Sequence, residues 1–420
     1  MPLHAQTGSW LTAKRVRAHG TVLAVCLWSV YVWNISDPGL RDRAGNLKGT
    51  DFLHFYTLGN LALAHDGADL YDMNAEAKIA AVRVPAAAGI RYLPLYPPQV
   101  SIFFALFARL PYAWALASWW ALNVGLYAGC CFLLWRASPN LRSLGGTVLL
   151  LGLAFPAFFH LIVWGQTSGL ALVCFTALYF ALRDQRMSIA GLVAGCLIFK
   201  PQLGLAVAAV FLCCGLWKAF LGALASATVQ LAIGVGYYGW EPLRRWMQML
   251  LNARTTLPLL EPKPYQTHCL RTFWTMIVPW PTVAFVLYLA SACGVLYLTF
   301  VCWKRRSSLP ASMRYSVLLL ATVLVAPHLT VYDLVILTPA ILLIADWALA
   351  RPTLQSSPIG TLLYFVYVFP LVGPLTKWTH VQLSVIAMTG LLYLIWRISR
   401  STRTSMVGIR PTAEEQIAGA

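Results

Sequence analysis

The sequence predicts an all-α polytopic membrane protein with about twelve transmembrane helices plus interfacial helices in its first exterior loop. Three observations carry that reading. Of the 420 residues 59% are apolar and 11% charged, and the mean hydropathy of +0.67 lies far outside the range of water-soluble globular chains. The apolar residues gather into runs of membrane-span length. The 31 Lys and Arg, set against 14 Asp and Glu, punctuate those runs instead of forming a basic stripe on a folded domain. The net charge of +17 therefore serves orientation in the bilayer and argues against a nucleic-acid partner.

Residues 1–19 read as a cytoplasmic N-terminus, because Lys14, Arg15 and Arg17 precede an apolar stretch that lacks a small-residue cleavage site and so looks like a signal anchor. Apolar spans follow at 20–35, 112–135, 144–161, 166–182, 187–200, 203–217, 219–238, 281–303, 314–326, 332–348, 358–374 and 380–397. The shorter ones, of about 14 residues, cannot cross a hydrocarbon core of roughly 30 Å without tilt, thinning or burial against neighbours. An even count puts both termini on one side. On that side fall Lys14, Arg15, Arg17, Arg136, Arg142, Arg183, Arg186, Lys218, Lys304-Arg305-Arg306, Arg351, Arg397, Arg400 and Arg403, which makes it the cytoplasmic face of the plasma membrane. Residues 20–400 then form one transmembrane domain with exterior loops 36–111 and 239–280, and 401–420 form a disordered cytoplasmic tail. The ten cysteines, nine of them inside apolar segments, show neither a CxxC pair nor zinc-ligand spacing.

The first exterior loop holds half of the acidic residues: Asp37, Asp42, Asp51, Asp66, Asp69, Asp72 and Glu76. Residues 50–66 have a helical pattern that sets Asp51, His54 and His65 within about 60° of one another, which suggests a helix lying in the membrane interface. The segment 97–109 is apolar but short and ends in Arg109-Leu110-Pro111; counting it as a span would invert every later loop against the charge rule, so it reads as a re-entrant or interfacial helix.

Polar, Gly and Pro positions inside the apolar chain sort onto the exterior face: Asp51, Tyr96-Pro97-Pro98, Gly165-Gln166-Thr167-Ser168, Lys200-Pro201-Gln202, His268, Arg271, Pro327-His328 and Tyr332-Asp333. Unrelated structural roles would scatter them over both faces, whereas one site shared by several loops gathers them on one. A site at that depth suits a lipid-borne substrate. A carboxylate beside an apolar wall can accept a proton from an attacking hydroxyl, and cations can hold a departing phosphate. Asp51 is the candidate base; Lys200 and Arg271 are the candidate phosphate binders.

Each residue also has a structural alternative. Asp51 fits a helix cap, Lys200 an interfacial snorkel, Gln166 a turn hydrogen bond, and His328 a partner for backbone groups freed by Pro327. Asp333 fits a cap or an ion pair with Lys200 or Arg271, while Arg271 fits a lipid headgroup contact. His54 and His65 fit solvated interfacial side chains. Asp66, Asp69 and Asp72 permit a divalent cation but read more simply as a helix stop, a turn and a second cap, so no metal or other cofactor is required.

Taken together, Gly49-Thr50-Asp51-Phe52, Gly59, Gly67, Leu70-Tyr71-Asp72, Tyr96-Pro97-Pro98, Leu110-Pro111, Trp119, Asn123, Gly165-Gln166, Ala190-Gly191, Lys200-Pro201-Gln202, Pro327-His328 and Tyr332-Asp333 resemble glycosyltransferase family 87 over roughly residues 45 to 340. The resemblance implies an integral membrane enzyme of GT-C type that takes a sugar, commonly mannose, from a polyprenyl-phosphate donor to a lipid or glycan acceptor hydroxyl with inversion. It also implies Asp51 as general base, His328 at the donor site, and Lys200, Gln202 and Gln166 as substrate-binding positions. His54, Tyr96, Arg271 and Asp333 join these as substrate-binding candidates from their placement. No motif carries over in 239–280. The rival readings are a secondary transporter or lipid flippase, which would show repeats and midplane ionisable residues, and a lipid-phosphate hydrolase.

Overall fold

The computed structural model describes residues 11–252, 261, 263–304, 309–351 and 358–407, with side chains as far as 400. Arg305 and Arg306, most of 253–262, the Arg403 side chain and the tail from 408 onward lie outside the described residues. The described chain is helical, its only β-pairings being two isolated bridges.

In chain order the helices are α1 (Ala13–Ile35), α2 (Thr50–Leu63), α3 (Met73–Arg83), α4 (Gln99–Ala108), α5 (Tyr112–Arg136), α6 (Gly145–Leu153), α7 (Pro156–Trp164), α8 (Ser168–Arg183), α9 (Met187–Gly195) and α10 (Pro201–Cys213). They continue with α11 (Trp217–Tyr238), α12 (Trp240–Leu251), α13 (Leu270–Ile277), α14 (Pro281–Lys304), α15 (Ala311–Val325), α16 (Thr338–Leu349), α17 (Pro358–Val368) and α18 (Leu383–Val407). All twelve apolar runs of the sequence are helical. Among the described residues, however, only seven segments are long and apolar enough to cross a bilayer, or eight if the pair bent by 47° between Leu153 and Pro156 is one span. The count of about twelve spans is therefore not reached by length. Runs such as Ser168–Arg183, Pro201–Cys213 and Ala311–Val325 are shorter apolar helices, and α15 is buried from Tyr315 to Val325. A helix surrounded by other helices has its apolar character explained by protein neighbours, which hydropathy alone cannot distinguish from lipid.

Packing is set where side chains vanish. Gly191 and Gly195 of α9, spaced G-x-x-x-G, let α11 approach so closely that a Cβ on Gly191 would lie 2.2 Å from the Ala219 carbonyl oxygen. Gly59 does the same for α2 on α4, where the Phe104 carbonyl oxygen would be 2.4 Å from an added Cβ.

The first exterior loop departs from expectation. α2 is no interfacial helix with one polar face: Phe52 through Ala62 are all buried, because α3 and α4 fold back over it. The expected stop and cap follow in the places read from the sequence. His65 adopts φ 53°, the Asp66 carboxylate accepts from the Asp69 amide at 3.1 Å, and Asp72 caps α3 through the amides of Asn74 and Ala75 at 2.8 and 3.2 Å. The 97–109 segment is the short helix α4, as expected.

Candidate active site

Three polar clusters line up along the ends of α2, α8, α10 and the turn before α16. The first centres on Asp51. Its helix starts at Gly49, whose left-handed φ of 65° and contact with Leu116 leave no room for a side chain, since an added Cβ would sit 2.3 Å from Leu116 Cδ1. Gly49 is the N-cap and no side chain caps the helix, so Asp51 is not serving as the cap; its carboxylate instead accepts from Gln166 Nε2 at 2.7 Å. The Gly165-Gln166 turn reaches Asp51 because Gly165, at φ 71°, lies against Phe52, and Trp119 holds it by donating Nε1–H to the Gly165 carbonyl at 2.9 Å. Tyr96 donates more loosely to Gln166 Oε1 at 3.4 Å, which aims the amide nitrogen at the carboxylate. Burial raises the Asp51 carboxyl to about 6; the Gln166 hydrogen bond and the nearby His54 and Lys200 charges offset only part of that rise.

One turn along α2, His54 is buried with its Nδ1 3.2 Å from the Glu76 carboxylate, and its ring rests near Tyr92 and Tyr96, at 5.2 and 5.8 Å between centroids. It is therefore not the solvated histidine that an interfacial helix would carry. His65 is exposed and stacked on Tyr237 at 4.4 Å, away from Asp51's cluster.

The second cluster is a buried ion pair. Lys200 Nζ donates to Asp333 Oδ1 at 2.7 Å and to Ser168 Oγ at 3.0 Å, and Ser168 donates to the same Asp333 oxygen at 2.5 Å. Both charged side chains are 4% exposed. The Lys200 ammonium also lies 5.2 Å from the Tyr332 ring centroid. Asp333 closes a capping box with Thr330 as well, so it both caps and pairs. Lys200 is thus no headgroup-seeking snorkel: Pro201 starts α10 directly behind it, and the side chain turns inward to its partner. Gln202, in the first turn of α10, is half-buried and stands outside this network.

The third cluster joins His328 to the second exterior loop. His328 Nδ1 is 2.8 Å from Glu261 Oε1, Arg271 pairs with the same oxygen, and Thr272 donates to Glu261 Oε2 at 3.1 Å. Arg271 Nε also donates to the Pro327 carbonyl, and the His268 amide donates to the Leu329 carbonyl at 2.9 Å. Arg271 is thereby a partner of Glu261 instead of a headgroup contact. Burial disfavours the charged form of the Glu261 carboxyl, yet the His328 and Arg271 partners outweigh that and hold it below the usual carboxylate range. With Nδ1 engaged, Nε2 is the His328 nitrogen left for a substrate. His268 itself turns away, its Nδ1 2.7 Å from Ser384 Oγ.

Shared backbone chains the clusters together. Gln166 and Ser168 lie two residues apart on one turn and serve the first and second; His328 and Asp333 lie on one turn and serve the third and second. The arrangement sets a carboxylate of raised basicity at one end and an arginine and a histidine held by one carboxylate at the other. Two members were not read from the sequence as site residues. Glu76 was visible only as one acid among seven in its loop. Glu261 is one of two acidic residues in 239–280, and that scarcity was the available signal.

The sequence model of glycosyltransferase family 87 matches residues 95–327, more than half of the chain. The protein belongs to glycosyltransferase family 87. No curated protein and no solved structure matches it. The family match spans Tyr96, Gln166, Lys200, Gln202, Glu261 and Arg271, while Asp51, His54, Glu76, His328 and Asp333 lie outside its limits and enter the site through the contacts above. This glycosyltransferase 87 member carries the several apolar helices of a membrane protein.

Proposed function

We propose that the protein is an inverting glycosyltransferase of GT-C type that moves mannose from a polyprenyl-phosphate donor to a lipid or glycan acceptor hydroxyl at the exterior face of the plasma membrane. The observation that carries this reading is Asp51: a half-buried carboxylate held by one neutral amide, to which no cation is bonded among the described residues. A carboxylate paired to a cation would be too weak a base, whereas one raised toward neutral pH is ionised at pH 7 and still basic enough to take a hydroxyl proton.

In the reaction the acceptor oxygen forms its bond to the anomeric carbon as its proton passes to Asp51, and the bond from that carbon to the donor phosphate oxygen breaks on the opposite side of the sugar. The electron pair leaves with the polyprenyl phosphate, a good leaving group that needs no strong acid. Arg271 supplies positive charge, and His328 Nε2 a hydrogen bond, to offset the growing phosphate charge. Lys200, bound to Asp333, fixes the turns that carry Gln166 and His328 and adds its field to the donor side. Tyr96, His54 and Gln202 complete the substrate surroundings. The mechanism calls for no metal or other cofactor.

The test is incubation of the protein in lipid with a panel of radiolabelled polyprenyl-phosphate sugars and a total membrane lipid extract, beside Asp51→Ala and a chelator arm. A labelled new lipid or glycan made by the wild type alone supports the reading and names its donor. Folded wild type that consumes no donor overturns it.

A further inference from the structure

α12 follows α11 without a linker: α11 ends at Tyr238, Gly239 turns the chain at φ 84°, and α12 starts at Trp240. α11 is one of the segments long and apolar enough to cross a bilayer, and its Leu221, Leu224, Val229 and Ile233 are 54–59% exposed, as apolar side chains are where they face acyl chains. α12 therefore begins at a membrane boundary. It cannot cross back, because its 12 residues span only about 18 Å and include Glu241, Arg244 and Arg245.

We propose that α12 lies in the plane of the bilayer, with one stripe of its side chains inserted where phospholipid headgroups meet acyl chains. The helix has three faces. The first, made of Pro242, Leu243 and Trp246, is buried. From it Trp246 donates Nε1–H to the Leu95 carbonyl at 2.9 Å, and Pro242 sits so close to Gly67 that an added Cβ there would lie 3.0 Å from Pro242 Cγ. The second face holds the charges, which satisfy one another: Glu241 accepts two bonds from Arg244 at 2.7 Å and one from Arg245 at 3.0 Å. The third is apolar. At 100° per residue Trp240, Met247 and Leu251 fall within about 40° of one another, and they are 59%, 37% and 84% exposed. Water would make such a stripe a standing cost, whereas the membrane interface favours its composition: an indole at the boundary, aliphatic side chains below it, and beside Leu251 the Arg244 stem, which can lie along the apolar layer while its charge stays among the headgroups. Continuity decides the occupant, because the stripe starts where the lipid-facing surface of α11 ends. The insertion also bears on the candidate site. Trp246 grips Leu95, next to Tyr96, so α12 holds the Tyr96-Pro97-Pro98 segment at headgroup depth.

The experiment introduces a dansylated amino acid at position 251, on the stripe, or at position 248, on the charged face, of the full chain in phosphatidylcholine nanodiscs. Quenching by phosphatidylcholine that carries a doxyl group near the top of its acyl chain is compared with quenching by aqueous iodide. Leu251 and Gln248 are both exposed, so either probe leaves the packing of the fold intact. At 251 the lipid quencher acts several-fold more strongly than iodide, and at 248 the order reverses. Iodide quenching at 251 as strong as at 248 puts the stripe in water and overturns the proposal. Equal lipid quenching at the two positions overturns the assigned orientation. A probe at 251 that neither quencher reaches shows that protein covers the stripe, a second copy of this chain or another segment of it, and overturns the proposal as well. None of these readouts depends on sugar transfer.

Discussion

Gln166 Nε2 and Asp51 Oδ2 meet at 2.7 Å across 115 residues of chain, and this is the one side-chain hydrogen bond to the Asp51 carboxylate among the described residues. A neutral donor steadies the carboxylate without neutralising it. The contact exists because two glycines in left-handed backbone conformations, Gly49 and Gly165, bring a helix start and a helix-joining turn together.

Replacing Asp51 by Asn or Ala lowers transfer by about 10²- to 10⁴-fold, the usual worth of a positioned general base. In the wild type the acid limb of the rate against pH bends near the Asp51 value of about 6, activity falling as the carboxylate takes up a proton. Any residual activity of Asp51→Asn lacks that bend. A pH series of initial rates for both proteins checks the assignment, and an unchanged limb in the variant removes Asp51 from it.

The same burial has a cost in stability with a definite sign. The folded carboxyl is raised from 3.8 to about 6, so the folded state binds its proton more tightly than the unfolded chain does, and the ionised group destabilises the fold as pH climbs through that window. Asp51→Asn therefore raises the unfolding free energy at pH 7.5 by on the order of 2 kcal/mol and by much less below pH 4. Denaturation of the detergent-solubilised proteins at the two pH values measures it; a variant no more stable at 7.5 than at 4, relative to wild type, refutes it.

In the proposed mechanism Glu261 acts on the donor side through His328. Glu261→Ala frees the His328 ring and leaves Arg271 without its carboxylate, and transfer falls by about 10- to 100-fold, the range seen when the partner of a functional histidine is lost. Glu261→Gln, which still accepts a hydrogen bond from Nδ1, recovers part of it. Donor titrations of the two variants decide the point, and equal activities in Gln and Ala remove the hydrogen bond from the account.

The Lys200 and Asp333 pair tests fold before chemistry. Removing one partner, as in Lys200→Met, leaves the buried Asp333 carboxylate without its cation and costs about 3–5 kcal/mol. Lys200→Met combined with Asp333→Leu removes both charges, and its stability returns most of the way while transfer stays low. Thermal unfolding of the single and double variants distinguishes these outcomes; a double variant no more stable than the single one shows that the pair is not the source of the loss.

Composition and spacing determined that this chain is helical and apolar enough for membranes, because every run of apolar residues is a local property that neighbouring sequence cannot disguise. They also marked Asp51, Gln166, Lys200, His328 and Asp333, since polar residues between apolar helices stand out where burial is expensive. The family followed from the same motifs and is confirmed over residues 95–327.

Tertiary structure alone decided which apolar helices are wrapped by others, as α2 and α15 are, because a protein neighbour and a lipid tail make equal demands on a side chain. It alone decided the partnerships as well. Asp333 reads as a cap or an ion pair until the fold makes it both, and Glu261 is an unremarked acid until the turn at Pro327 brings His328 within 2.8 Å of it. Such contacts join residues 67 to 133 positions apart, a separation at which sequence carries the chemistry of each group but not the geometry that puts them side by side.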